Sequence, residues 1–178
     1  VITGASSGIG LATAEALVKR GWHVGAFARS EGALAALGAS LEGEPGTLLP
    51  IAGDVRDAQA VQGAVDRLVA AWGGLDAVIP NAGLGYFDPL PSGKLNEWHE
   101  MVDINIKGVL NTLHAALPVL AQHKGHVINI GSLAARQVFP NSGVYCATKH
   151  AVLALSEAIR LEYRNDVAVT TVNPGAVN

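Results

Sequence analysis

A chain of 178 residues that is 49% hydrophobic and 15% charged is the size of one domain and has ample apolar material for a buried core. Its net charge of −3, with twelve Lys and Arg scattered along the chain, leaves no basic field for a polyanion, so no nucleic-acid partner is expected. A single cysteine, Cys146, excludes an intrachain disulfide, and no charged stretch leads into a long apolar run at the N-terminus, so a cytoplasmic protein without a membrane partner is expected.

Apolar runs rich in Val and Ile alternate with longer stretches of helical period, the pattern of βαβ units around a parallel sheet. Strands are predicted over residues 1–2, 22–28, 47–52, 75–80, 126–130 and 167–172, and helices over about 9–20, 31–37, 57–72, 97–121 and 144–163. The first strand has only Val1 and Ile2 before a turn, no Met precedes it, and the chain stops after NPGAVN, so a chain truncated at both ends is expected.

That first turn, TGASSGIG, holds Gly4, Gly8 and Gly10 between a strand and a helix. Backbone N–H groups and the helix N-terminus converge there on a point suited to a pyrophosphate. Two other readings stay open: a plain tight turn, and a nucleophile elbow, because Gly4-Ala5-Ser6-Ser7-Gly8 also fits G-x-S-x-G. Against the elbow, such a turn normally lies deep inside a sheet already begun, and here it would follow the first strand.

The second strand ends in AFARS, where a dinucleotide fold places its ribose-reading residue. An acid there would accept from both ribose hydroxyls and repel a 2′-phosphate. Ala28 is neutral and Arg29 offers a fork of donors, which favours NADP(H) over NAD(H) unless Arg29 is simply a solvated surface charge. Ser30 caps the helix that follows. Asp54, after the third strand, either accepts from an adenine amino group with Val55 flanking the ring or serves its own loop as a cap. Asp57 opens the next helix, Gly73-Gly74 ends it, and Asn81 follows the fourth strand.

The long fourth helix carries Asn105 and should kink at Pro118. Ser132 ends the fifth strand, and thirteen residues later YCATK sets Tyr145 and Lys149 four apart, on one helix face. A tyrosine with a pKa of about 10 is a poor acid or base near neutrality, but a neighbouring ammonium stabilises its phenolate and lets it exchange protons with an alcohol or carbonyl. The Ser132 hydroxyl can hold the substrate oxygen beside that phenol. Pro174-Gly175 follows the last strand, so all six strand ends carry polar or glycine-bearing chemistry, where an open parallel sheet binds its ligands. The six histidines, at 23, 99, 114, 123, 126 and 150, show no ligand spacing, so no metal is expected, and Cys146 is read as buried packing.

Together TGASSGIG, PNAG, INIKG, NIGS, YCATK and NPGAV, in this order over the whole chain, resemble the short-chain dehydrogenase/reductase family. The resemblance implies an α/β fold, a Rossmann-type doubly wound parallel sheet flanked by helices on both faces, as a single domain with its C-terminal part missing. It implies NADP(H)-dependent interconversion of a carbonyl and a secondary alcohol. Tyr145 would be general acid or base, Lys149 would lower its pKa and hold the nicotinamide ribose, Ser132 would orient the carbonyl, and Asn105 would anchor a water linking Lys149 to solvent. Gly4, Ser6, Ser7, Gly8, Ile9 and Gly10 would form the phosphate turn, and Asn81, Ala82 and Gly83 the adenosine side. Pro174, Gly175 and the backbone of Val177 would meet the carboxamide.

Two departures stand out: Ser7 where many NADP(H) members carry a basic residue, and Pro80 where the usual NNAG begins. Cofactor preference therefore rests on Arg29. The missing portion would hold the substrate lid and the last strand, and Leu84, Tyr86, Phe87, Leu133 and Phe139 suggest apolar walls for a carbonyl compound. Ala147, Ala151, Ala154 and Ala158 permit close helix approach in a homodimer or homotetramer. The rival reading, a non-catalytic NADP(H)-binding sensor of the same fold, is opposed by the presence of Tyr145, Lys149, Ser132 and Asn105.

Overall fold

The computed structural model describes residues 1–176. Six parallel strands form its centre: β1 (Ile2–Thr3), β2 (His23–Ala28), β3 (Thr47–Ala52), β4 (Ala77–Val78), β5 (His126–Ile130) and β6 (Ala168–Val172). They alternate with helices α1 (Gly8–Val18), α2 (Glu31–Ser40), α3 (Ala58–Trp72), α4 (Leu95–Val102), α5 (Gly108–His123) and α6 (Gly143–Glu162). Parallel pairing runs β1 to β2 to β3 and β4 to β5 to β6. A bridge between Ile2 and Ile79 joins the two halves, with Thr3 N–H donating to Ile79 O at 3.1 Å and Ile79 N–H to Val1 O at 2.8 Å. The strand order is therefore β3-β2-β1-β4-β5-β6, and winding reverses between β1 and β4, where a doubly wound sheet opens its ligand crevice.

Strand alternation sorts the core onto the two faces of this sheet. Val24, Ala26 and Ala28 of β2 join Ala14 and Val18 of α1 and Leu34 and Leu37 of α2. Phe27 points the other way and joins Val65 and Leu68 of α3, Leu113 and Leu120 of α5, and Val152 and Ile159 of α6. The expected α/β architecture, helices on both faces of a parallel sheet, is the one present.

The capping residues act as read. Ser30 accepts from Ala33 N–H, Asp57 accepts from the N–H groups of Gln59 and Ala60, and Gly73 closes α3 with φ +84°. Three boundaries differ from expectation. The first and fourth strands pair over only two residues each, and α2 runs on through Gly38 to Ser40. The predicted single helix over 97–121 spans 95–123 and is divided by a π-turn at Asp103–Lys107, the turn that contains Asn105. Pro118 lies inside α5 without ending it, and the break in the hydrogen-bond pattern falls at that π-turn instead. Among the described residues no helix is long and apolar enough to cross a membrane, and no group of three His, Cys, Asp or Glu could hold a metal ion.

Candidate active site

At the carboxyl ends of the strands lies a cleft of about 740 Å³. Its wall includes Gly4, Ser6, Ser7, Gly8 and Ile9 from the first turn, and Arg29, Asp54 and Val55 from the ends of β2 and β3. Asn81, Ala82 and Gly83 follow β4, Ser132 follows β5, Tyr145 and Lys149 come from α6, and Pro174 and Gly175 follow β6. Gly10 and Asn105 lie beneath this surface, and Val177 falls outside the described residues.

The first turn is built for close approach. Gly4 has φ +67°, and a Cβ there would stand 2.8 Å from Ala82 Cα. A Cβ at Gly10 would stand 2.3 Å from Gly4 O. Asn81 locks the arrangement: its Nδ2 donates to Thr3 O at 2.9 Å and Gly4 O at 3.2 Å. The Thr3 hydroxyl accepts from the N–H groups of Asn81 (3.0 Å) and Ala82 (3.1 Å). Thr3 was not singled out from the sequence, although a hydroxyl on a strand buried on both faces needs a partner, and that need was the available signal. Ser7 stands at the N-cap of α1 in extended conformation, yet its side chain makes no capping bond. The first-turn N–H groups of α1 have no intrahelical partner, and the positive end of the helix faces the cleft uncapped.

Arg29 is exposed at the end of β2 and makes no ion pair among the described residues. Asp54 differs: Arg56 forks onto its carboxylate, with Nη2 to Oδ2 at 2.6 Å, while Arg56 N–H donates to Oδ1 at 2.9 Å. The Arg56 hydrogen bond holds the Asp54 carboxyl below its usual range. Of the two readings of Asp54, these contacts favour the loop aspartate.

At the other end, Lys149 is 7% exposed and its ammonium donates to Ile130 O at 3.1 Å. Burial pushes its pKa down to about 8. The ammonium lies 5.8 Å from the centre of the Tyr145 ring, and Phe87 meets that ring edge-on with centroids 5.3 Å apart. Ser132 Oγ accepts from Ala134 N–H at 3.1 Å, which leaves its own O–H free to donate. Asn105, 1% exposed, accepts from Leu84 N–H at 2.9 Å and donates to Leu84 O at 2.8 Å and to Thr148 Oγ1 at 3.1 Å. Thr148, which sequence reasoning missed, donates in turn to Tyr145 O at 2.8 Å. A Cβ at Gly83 would lie 3.3 Å from Asn105 Oδ1 and 3.6 Å from Lys149 Nζ, so both polar groups reach the floor of the cleft.

Of the expected apolar walls, Leu84 and Phe87 line the cleft. Tyr86 does not, because its hydroxyl donates to Glu100 Oε2 at 2.7 Å and draws the ring onto α4, and Leu133 and Phe139 stand exposed outside the lining. No histidine lines the cleft among the described residues, so Ser6 has no base there and the elbow reading lapses. Cys146 is buried, as read.

A doubly wound sheet with a glycine cradle at its switch point and a Ser, Tyr and Lys beyond it defines a dinucleotide-binding oxidoreductase domain. A family model described as short chain dehydrogenase matches residues 1–178, and the chain belongs to the short-chain dehydrogenase/reductase family. It is 42% identical over 177 residues to glycine betaine reductase of Emericella nidulans, which covers 98% of this chain and 14% of that protein. Among solved structures it is similar to an alcohol dehydrogenase from the archaeon Thermococcus sibiricus complexed with 5-hydroxy-NADP, with TM-score 0.95 and 35% identity over 99% of this chain and 75% of that one. A short-chain dehydrogenase/reductase from Burkholderia phymatum in complex with NAD is similar with TM-score 0.93 and 29% identity over 99% of this chain and 65% of that one. The site fits a nicotinamide dinucleotide: the cradle admits no Cβ at Gly4 or Gly10, and the helix end above it is uncapped.

Proposed function

We propose that this chain carries the active site of an NADP(H)-dependent oxidoreductase that interconverts a carbonyl compound and a secondary alcohol. The observation that carries the reading is one cleft with a phosphate cradle at one end and the Ser132 hydroxyl, the Tyr145 phenol and the Lys149 ammonium at the other. When bound, NADPH supplies hydride to the carbonyl carbon. Ser132 donates its free O–H to the carbonyl oxygen and holds it beside the phenol. Tyr145 gives its proton to that oxygen as negative charge gathers there, and takes it back in the oxidative direction. Lys149 places positive charge beside the phenol, which favours the charge left on the phenolic oxygen, and also holds the nicotinamide ribose. Asn105 fixes the Leu84 backbone and, through Thr148, the start of α6; the spare lone pair of its Oδ1 receives the water that links Lys149 to solvent.

Arg29 takes the 2′-phosphate, Asn81, Ala82 and Gly83 flank the adenosine, and Pro174 and Gly175 meet the carboxamide. NADPH should bind at least roughly tenfold more tightly than NADH, about 1.4 kcal/mol, which one charge-assisted phosphate contact supplies. Titrating both cofactors against tryptophan fluorescence, then following NADPH absorbance over ketones, 3-oxo esters, 3-hydroxy acids and sugars, tests cofactor and reaction together. Equal affinities, or an Arg29→Ala variant with unchanged preference, would refute the assignment of Arg29. Tight NADPH binding with no turnover across the panel would refute the assigned reaction.

The assembly belongs to the same reading. Ala147 and Ala154 are exposed along α6, and Leu110 of α5 and Leu161 of α6 remain open to solvent. We place these helices at the interface of a homodimer or homotetramer. Light scattering of the full-length protein should give a mass of at least two chains at micromolar concentration; a monomer alone rejects the interface.

A further inference from the structure

Ser132 sits where β5 has outrun one of its neighbours. Along a parallel strand successive N–H groups point to opposite sides. Ile130 N–H donates towards β4, to Pro80 O at 3.2 Å, while Gly131 N–H donates towards β6, to Val172 O at 2.8 Å, as Leu133 N–H does to Pro174 O at 3.1 Å. Ser132 N–H comes next on the β4 side, and there the fourth strand has already left the ladder. It is satisfied by a side chain: Asn173 Oδ1 accepts it at 3.2 Å. The amide reaches that position because residue 131 has no side chain. A Cβ at Gly131 would stand 2.3 Å from Asn173 Oδ1.

We propose that Asn173 is a positioning residue for the reaction, which holds the Ser132 backbone so that the Ser132 hydroxyl faces the substrate oxygen, and that Gly131 is the complementary position that admits it. The proposal rests on the reading of Ser132 as the group that orients the carbonyl. Ser132 Oγ is itself tethered only through its acceptor side, to Ala134 N–H, so the direction of its O–H depends on where the backbone holds Cα and Cβ. Asn173 directly precedes Pro174 and Gly175 in the cleft wall, and one amide therefore couples the residue that faces the substrate with the wall that faces the cofactor. A displacement of about 1 Å in such a group is enough to cost up to 10²-fold in rate.

The test compares Asn173→Leu, Asn173→Asp, Gly131→Ala and Ser132→Ala in the full-length protein, with a carbonyl substrate from the panel. Asn173→Leu should lower kcat roughly tenfold or more, with NADPH affinity within about twofold and an unchanged melting temperature. Asn173→Asp keeps the acceptor and should restore most of the rate. Gly131→Ala leaves Asn173 in place but pushes its amide off Ser132, so it should reproduce the defect, and it decides the matter where Asn173→Leu does not fold. Combining Asn173→Leu with Ser132→Ala should cost no more than Ser132→Ala alone, because the first acts through the second. A large loss in Ser132→Ala with none in Asn173→Leu or Gly131→Ala overturns the role of Asn173 and leaves that of Ser132 standing. Losses that add in the double variant also overturn it. Full rate in Ser132→Ala removes both.

Discussion

Replacing Tyr145 by Phe should lower kcat by roughly 10² or more, the usual scale for a positioned general acid, while NADPH binds within about twofold of the wild-type affinity. The substitution is clean for a structural reason. The ring holds its place through its edge-on contact with Phe87 and through α6, whose backbone at Tyr145 is bonded by Thr148, and none of these contacts involves the phenolic oxygen. Only the hydroxyl is lost. The cradle, Arg29 and the α1 N-terminus lie at the other end of the cleft and are untouched, so binding and turnover should separate. Steady-state kinetics beside a fluorescence titration reads both quantities. A variant that turns over at the full rate shows that the proton comes from elsewhere, and one that loses NADPH binding in proportion to rate shows a broken cleft instead of a missing acid.

Lys149→Met should do two opposite things: abolish most activity, by roughly 10² or more with weaker NADPH binding, and stabilise the cofactor-free protein at pH 7 by about 1–3 kcal/mol. The second effect follows from burial. The ammonium has Ile130 O as its protein hydrogen-bond acceptor and no carboxylate beside it, and its pKa stands at about 8 against 10.5 for a free lysine. Below pH 8 both folded and unfolded chains carry the charge, so the folded state bears the full cost of burying it. Between pH 8 and 10.5 the unfolded chain binds more protons than the folded one, and stability rises with pH across that window as the cost is relieved. Urea unfolding of wild type should show this rise, and Lys149→Met should lack it. A variant less stable than wild type at pH 7, or a wild-type curve with no rise above pH 8, refutes the account. A residue that weakens the empty fold and serves the loaded one is the pattern of a site that trades stability for activity.

What could be read from the sequence were features with local causes. A glycine turn between strand and helix, a polar residue at each strand end, and a phenol and an ammonium four apart on one helix are all visible within a dozen residues, and the cleft assembles them. The contacts that hold those groups in place were not visible. Thr3 and Asn81 bond across 78 residues, Asn105 and Thr148 across 43, and Ser132 and Asn173 across 41, and no short window of sequence registers such a pairing. Tyr86 was assigned to the wrong wall because an aromatic in a loop has no period to orient it; Glu100, fourteen residues on, decides where it goes. The fork of Arg56 onto Asp54 is different, since its partners are two residues apart and a turn of that kind is readable from sequence.

The π-turn between α4 and α5 bears on how this helix pair can change. Met101, Asn105, Val109, Leu113, Ala116 and Leu120 are the buried residues of successive turns, and they advance nineteen positions in five turns where a regular α-helix takes about 18. The inward-facing stripe thus runs one residue behind the helix that carries it, and the i to i+5 bond from Gly108 N–H to Asp103 O absorbs the surplus. Deleting any one residue of 103–107 would give a smoother helix with a broken seam. α5 would be turned about its own axis by roughly 100° relative to α4, which carries Leu113 and Leu120 off the sheet. The irregular turn sets the phase of everything after it, and insertions or deletions are tolerated before Leu95 or after His123 far better than between them.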